Sequence, residues 1–271
     1  MACNEKVQSS MSLPFKLIST DFDGTLFAEF ENPPVPCRLQ ELIADLQAQG
    51  VKWVINTGRE LSSLMESMGR AHLKIKPDYL VLVEREIYIH DNLNYVGLAE
   101  WNDACTRDHE DIFARVRADV PYLTDWVSKR FARTTIYSDP YSPFCFIAEK
   151  TSDAESIHEF LEEYCARIPG LVVVRNDVYA RFSHVNYNKG SALSELARRL
   201  GIPSNQILAA GDHLNDLPML KTEHARWLVT NANAIPQVKE QVKRQNGYIS
   251  NLHCGHGIAE GIEYILNGGV A

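Results

Sequence analysis

Three short apolar runs in the first third of the chain each lead to a polar cluster, and a single amphipathic stripe separates each run from the next. Few folds accommodate that pattern. Phe15 to Thr20 (FKLIST) runs into Asp21, Val51 to Asn56 (VKWVIN) runs into Thr57-Gly58, and Tyr79 to Val83 forms the third. Runs of this length bounded by turn-forming residues read as buried strands. Leu39, Leu42, Ile43 and Leu46 recur at helical spacing and stop at Gly50; Leu61, Leu64, Met65 and Met68 do the same before Gly69. Strand and helix in strict alternation predict an α/β fold on a parallel, Rossmann-like sheet.

The rhythm breaks after the third strand. Short strand-like runs at Ile87–His90, Phe144–Ala148, Leu171–Arg175 and Tyr179–Ser183 mix with two helical patterns, one around Ile112, Phe113 and Val116, the other on Ile157, Phe160, Leu161 and Tyr164. The α/β rhythm then returns with a helix face on Leu193, Leu196, Ala197 and Leu200 stopped by Gly201, strands at Gln206–Ala210 and Trp227–Thr230, and a terminal helix over Ile258–Leu266. A chain of 271 residues has room for about two domains. The expectation is a core made of residues 1–85 and 186–271, with 86–185 inserted as an α+β unit.

Charge and cysteine content narrow the function. Lys and Arg number 27 against 35 Asp and Glu, a formal charge of −8. Such a chain repels phosphate backbones, so nucleic acid is not an expected partner, and an anionic ligand would need a local cation or a metal. No apolar run approaches the roughly 18 residues of a membrane span. Met1 to Pro14 is polar, reads as a tail and lacks a signal's apolar segment. The six cysteines contain no Cys-x-x-Cys, so reduced thiols and a cytoplasmic location are expected.

Four polar clusters fall at predicted strand ends or helix starts: Asp21-Phe22-Asp23-Gly24-Thr25, Thr57-Gly58-Arg59, Lys189-Gly190, and Gly211-Asp212-His213-Leu214-Asn215-Asp216. Turn chemistry explains any one of them. Four in this order, where open α/β sheets bind ligands, point to a shared site. Asp21, Asp23, Asp212 and Asp216 would repel one another unless a hard divalent cation sits among them, and Mg²⁺ suits carboxylates plus a substrate phosphate. Lys189 supplies fixed positive charge, while Thr57 and the Gly58 N–H can donate to phosphate oxygens. One carboxylate can act as nucleophile and form an aspartyl-phosphate, and a second can protonate the leaving alkoxide and then activate water.

These residues resemble the haloacid dehalogenase (HAD) superfamily of phosphotransferases. DFDGTL at 21–26 matches its first motif, Thr57-Gly58-Arg59 the second, Lys189 the third, and Gly211-Asp212-x-x-Asn215-Asp216 the fourth. The resemblance implies that Asp21 is nucleophile and Mg²⁺ ligand, and that Asp23 is general acid/base and binds metal through its backbone carbonyl. It places Thr57, Gly58 and Lys189 on the phosphate, Asp212 on the metal and Asp216 in support of it, with Asn215 reaching the phosphate or a metal water. An insertion of this size between the second and third motifs resembles the Cof-type branch, with a C2B cap (subfamily IIB). Cof-type members often carry Asn-Gly after the third strand, where this chain has Glu84-Arg85-Glu86; Glu86-Ile87-Tyr88-Ile89 and Trp101 look more like sucrose-phosphatase-like members.

The reading is a Mg²⁺-dependent phosphomonoesterase for a small phosphorylated metabolite, a sugar phosphate, working as a monomer or weak homodimer. A phosphomutase or phosphotransferase, in which a sugar hydroxyl replaces water, is the alternative. A non-catalytic phosphometabolite-binding protein is another, disfavoured by the intact Asp21–Asp23 pair. Some signals read as structural. His253-Cys254-Gly255-His256 offers too few ligands for zinc and reads as a loop; His213 reads as filling a variable slot; Arg59 reads as anchoring its loop to the cap; Trp101 and Trp126 read as packing.

Overall fold

The computed structural model describes residues 13–269, so the predicted tail falls almost wholly outside the described residues. The chain opens with β1 (Leu17–Thr20), α1 (Cys37–Ala48), β2 (Lys52–Asn56), α2 (Leu61–Arg70) and β3 (Tyr79–Leu82), in the order the apolar spacing predicts. Gly50 adopts φ +90° just past α1, whereas α2 runs through Gly69, where a Cβ would meet nothing. A tight turn then leads into β4 (Glu86–Asp91) and β5 (Asn94–Gly97), followed by α3 (Ala99–Val116) and α4 (Val120–Arg130). Next come β6 (Thr135–Asp139), β7 (Ser142–Ile147), α5 (Thr151–Cys165), β8 (Leu171–Asn176) and β9 (Tyr179–His184). The closing elements are α6 (Lys189–Leu200), β10 (Ile207–Ala210), β11 (Trp227–Thr230), α7 (Pro236–Arg244), β12 (Tyr248–Ile249) and α8 (Cys254–Leu266).

Two sheets result. The large one runs β12-β11-β10-β1-β2-β3-β4-β5, parallel from β12 to β3 and antiparallel at β4 and β5. The small one is antiparallel, β6-β7-β9-β8. The fold is thus α/β, as expected, but the inserted unit does not begin at residue 86. Residues 86–97 extend the large sheet, with Val81 opposite Ile87, and the second sheet starts only at β6. Alternation announces a strand without saying which sheet it joins.

Helices cover both faces of the large sheet. Leu39, Ile43, Leu64, Ile258 and Ile262 pack on one side with Ile18; Leu193, Leu196, Val238 and Val242 pack on the other with Leu17. A third core joins Ile112, Phe113 and Val116 of α3 to Leu123, Val127, Ile157, Leu161, Phe144, Phe146 and Phe182 around the small sheet. Trp101 packs against the large sheet's second core and donates Nε1 to the Arg85 carbonyl at 2.7 Å, and Trp126 stacks on Phe160 at 3.7 Å, so both are packing residues. The strand order reverses at β1: the chain steps to β2 and β3 on one side and returns through β10 on the other. Loops diverging at such a point leave a crevice at the carboxyl ends of the strands. The five described cysteines are free thiols, and no helix among the described residues is long and apolar enough to cross a membrane.

Candidate active site

Asp21 leaves β1 still bound to the sheet, its amide donating to the Ala210 carbonyl at 2.9 Å. Gly24 follows at φ +71°, where a Cβ would sit 2.4 Å from Asp212 Oδ2, so only glycine lets the first loop close on the fourth cluster. Thr25 Oγ1 donates to Asp212 Oδ1 at 2.8 Å. Asp216, in a 3₁₀ turn after β10, accepts the Asp212 and His213 amides on Oδ2 at 2.8 and 2.9 Å. Lys189 opens α6, held there by Asn188, which accepts the Gly190 and Ser191 amides. Fully buried, it donates Nζ to Asp21 Oδ1 and Asp216 Oδ1, both at 2.6 Å.

Asp21, Asp212 and Asp216 each place a carboxylate oxygen within 4.8 Å of the others, and all three are buried. Lys189 balances one of these three charges. Burial and the neighbouring Asp216 push Asp212 up to about 7, and burial, opposed by Lys189, raises Asp21 well above the usual carboxylate range. Burial works against the charge on Lys189, yet Asp21 and Asp216 outweigh it and hold its pKa above the ordinary value. A cage of hard oxygens with two excess negative charges fits a divalent cation such as Mg²⁺. Among the described residues it is the one such cluster, and the His253–His256 segment forms none. That segment is not a loop either: Cys254 to His256 make the first turn of α8, and a Cβ on Gly255 would lie 2.6 Å from Pro36 Cδ.

Thr57 sits between β2 and β3, its amide on the Val81 carbonyl and its carbonyl on the Glu84 amide, each at 2.9 Å. Its Oγ1 accepts the Arg59 amide at 3.2 Å, which leaves the hydroxyl proton for an incoming phosphate oxygen. Asp23 lies outside the buried triad, partly exposed, and is clasped by Arg59, Nε to Oδ2 and Nη2 to Oδ1, both at 2.7 Å. Arg59 therefore anchors to the first loop rather than to the inserted unit. Asn215 donates Nδ2 to Glu84 Oε1 at 2.9 Å, while its Oδ1 is buried without a partner. A spare acceptor suits a cation's water, not a phosphate oxygen.

Glu84 is the site residue that motif reasoning passes over. It is buried, lies at φ +68° beside Val83 at φ +45°, and bridges Asn215 to Arg181 of β9, whose Nη2 is 3.3 Å from Glu84 Oε2. A Cβ on Gly58 would stand 3.2 Å from Glu84 Oε1, so the glycine makes room for this carboxylate. Other contacts join the small sheet to the site: Arg85 Nη2 donates to the Tyr141 carbonyl at 2.8 Å, and the Asp177 amide donates to His213 Nδ1 at 3.3 Å. His213 is thus a contact point for the β8–β9 turn. Beneath the small sheet lies a cavity of about 300 Å³, lined below by Gly58, Arg59 and Val83 and above by Tyr141, Tyr179 and Arg181.

The sequence model of the haloacid dehalogenase-like hydrolases matches residues 18–262. The chain belongs to that family. It is 25% identical over 254 residues to the 5-amino-6-(5-phospho-D-ribitylamino)uracil phosphatase YcsE of Bacillus subtilis (strain 168), covering 92% of this chain and 95% of the relative. It is 22% identical over 298 residues to phosphatase YwpJ of the same organism, covering 93% and 100%. Among solved structures, the sucrose-phosphatase of Synechocystis sp. PCC6803, determined with sucrose and phosphate, superposes with a TM-score of 0.68 at 21% identity, covering 93% of this chain and 98% of that one. With phosphatases among its relatives, this HAD-like hydrolase is a phosphatase, and the likeness to the sucrose-phosphatase structure shows a shared fold.

Proposed function

We propose that the chain is a Mg²⁺-dependent phosphomonoesterase that works through an aspartyl-phosphate on a small phosphorylated metabolite, a sugar phosphate. The observation that carries this reading is the buried Lys189 bridging Asp21 and Asp216, with Asp212 alongside. Asp21 and Asp212 would hold the cation with side-chain oxygens and Asp23 with its backbone carbonyl, while Asp216 fixes the Asp212 loop. Bound there, the cation neutralises the carboxylates and the phosphoryl oxygens and lets an anion enter.

Lys189 keeps Asp21 Oδ1 occupied and the other oxygen available to attack phosphorus. The bond to Asp21 forms as the ester P–O bond breaks, and Asp23 gives its proton to the departing alkoxide. Asp23 then takes a proton from water, water oxygen attacks phosphorus, the Asp21–phosphorus bond breaks, and inorganic phosphate leaves. Thr57, Gly58 and Lys189 hold the phosphoryl oxygens throughout, and Asn215 serves a cation-bound water. The small sheet with its helices acts as the cap that shapes the leaving-group cavity. Free thiols support a reducing, cytoplasmic setting, and the enzyme acts as a monomer or weak homodimer. The test is p-nitrophenyl phosphate turnover by metal-stripped protein. Activity should vanish, return with Mg²⁺ and return poorly with Ca²⁺, whose looser coordination misplaces the ligands. Full activity without metal contradicts the reading.

A further inference from the structure

We propose that Glu84 sets leaving-group specificity: by keeping Arg181 in a closed pair, it leaves the cavity under the small sheet without an available cation. The site then takes phosphate esters of uncharged polyols and rejects esters carrying a second anionic group. This rests on the phosphomonoesterase reading, with Asp23 as proton donor, and deepens it.

The cavity adjoins Asp23 through Arg59, so the leaving group lies in it. Both guanidiniums on its wall already face a carboxylate. Arg59 is bidentate to Asp23, and Arg181, 3% exposed, has its charge countered by Glu84, Nη2 to Oε2 at 3.3 Å, while its Nε is buried without a partner. Glu60 and Asp139 add negative charge to the same wall. With Asp23 and Glu84 nearby, that makes four carboxylates around Arg59, Arg181 and Arg85, the last buried and held on the Tyr141 carbonyl. A second anion entering here would lose its water and gain no free cation. Hydroxyls would find acceptors on those carboxylates and partners in Tyr141 and Tyr179. Glu84 is held to this task on both oxygens, one by Arg181 and one by Asn215. It is also set there by two consecutive left-handed residues, a conformation that persists only where surrounding contacts demand it.

The experiment compares D-glucitol 6-phosphate with 6-phosphogluconate, which differ only in a hydroxymethyl or a carboxylate at the far end. Each is measured as kcat/KM and as an inhibitor of p-nitrophenyl phosphate turnover, so an ester that is not hydrolysed still reports. The wild type should favour the neutral ester by about tenfold or more. Glu84→Gln keeps the shape and releases Arg181, and the ratio should move toward the carboxylate ester by about tenfold, the scale of a charge-assisted hydrogen bond. Arg181→Gln removes the cation and should not move it that way. An unchanged ratio in Glu84→Gln, or the same shift in both variants, overturns the proposal. Should Glu84→Gln fail to fold, the other two proteins decide: a wild type without preference, or an Arg181→Gln that gains the carboxylate ester, overturns it. Failure of the neutral ester to compete overturns it as well, whereas a wild type inert toward p-nitrophenyl phosphate with Mg²⁺ overturns the phosphatase reading instead.

Discussion

Asp21 and Asp23 stand two residues apart and live in different environments, which suits them to the different work proposed for them. Asp21 is 4% exposed and bound to Lys189; Asp23 is partly open to solvent and clasped by Arg59. A buried, lysine-bound carboxylate suits attack on an anion, and a solvent-edge carboxylate suits proton exchange. Asp23→Asn should therefore slow steady turnover of an alkyl phosphate about 10²–10⁴-fold. Its first-turnover burst with p-nitrophenyl phosphate, whose leaving group needs little protonation, should survive. Rapid-quench kinetics reads both, and equal loss of burst and alkyl turnover contradicts the assignment. The motif residues were legible because polar side chains at the ends of apolar runs have few other reasons to recur in that order. The partner of Arg59 was not, since Asp23 lies 36 positions earlier and only the path of the loop brings the two together. Glu84 was hidden as one of several acids after a strand; its buried position and Arg181, 97 positions on, declare it.

At the scale of elements, α3 ties the two sheets together. Trp101 near its start packs on the large sheet's core, and Ile112, Phe113 and Val116 near its end pack in the small sheet's core. His109 between them is 3% exposed; Nδ1 donates to the Cys105 carbonyl at 2.7 Å and Nε2 accepts the His184 amide of β9 at 3.1 Å. A proton on Nε2 would break that second bond. Burial, joined by the charge of Arg85, pushes His109 down to about 3, against about 6.5 for an ordinary histidine. With the folded value depressed, its neutral form contributes stability fully above about pH 6.5, and that contribution is lost as pH falls toward 3. Urea midpoints from pH 7 to 4 should fall steeply for the wild type and less for His109→Gln; parallel curves contradict this. The periodicity that revealed most of these elements came from residues facing a core. It was silent on α4, where only Leu123 and Val127 are buried, and on β5, whose residues are exposed or half-buried.

For the whole molecule, the chain's order of motifs foretold a single crevice, because four clusters on separate strands and one helix can meet only where a parallel sheet reverses. The extent of the inserted unit was less legible, since the run that becomes β4 looks like a strand of either sheet and β5 gives no apolar signal. Replacing residues 86–185 by a Gly/Ser linker would strip the edge of the large sheet and remove the fully buried Ile87. That protein should be insoluble or melt at least about 10 °C lower, on the scale that a few kcal/mol moves a melting point; a wild-type melting curve would contradict the strand assignment. The central claim is that Asp21 carries the phosphoryl group. Its most direct measurement is to quench Asp23→Asn, which slows release of the intermediate, during turnover with Mg²⁺, reduce it with borohydride and sequence the peptides by mass spectrometry. The account predicts reductive conversion of residue 21 to homoserine, dependent on substrate and absent in Asp21→Asn; trapping at another residue, or an unmodified Asp21 during active turnover, would contradict it.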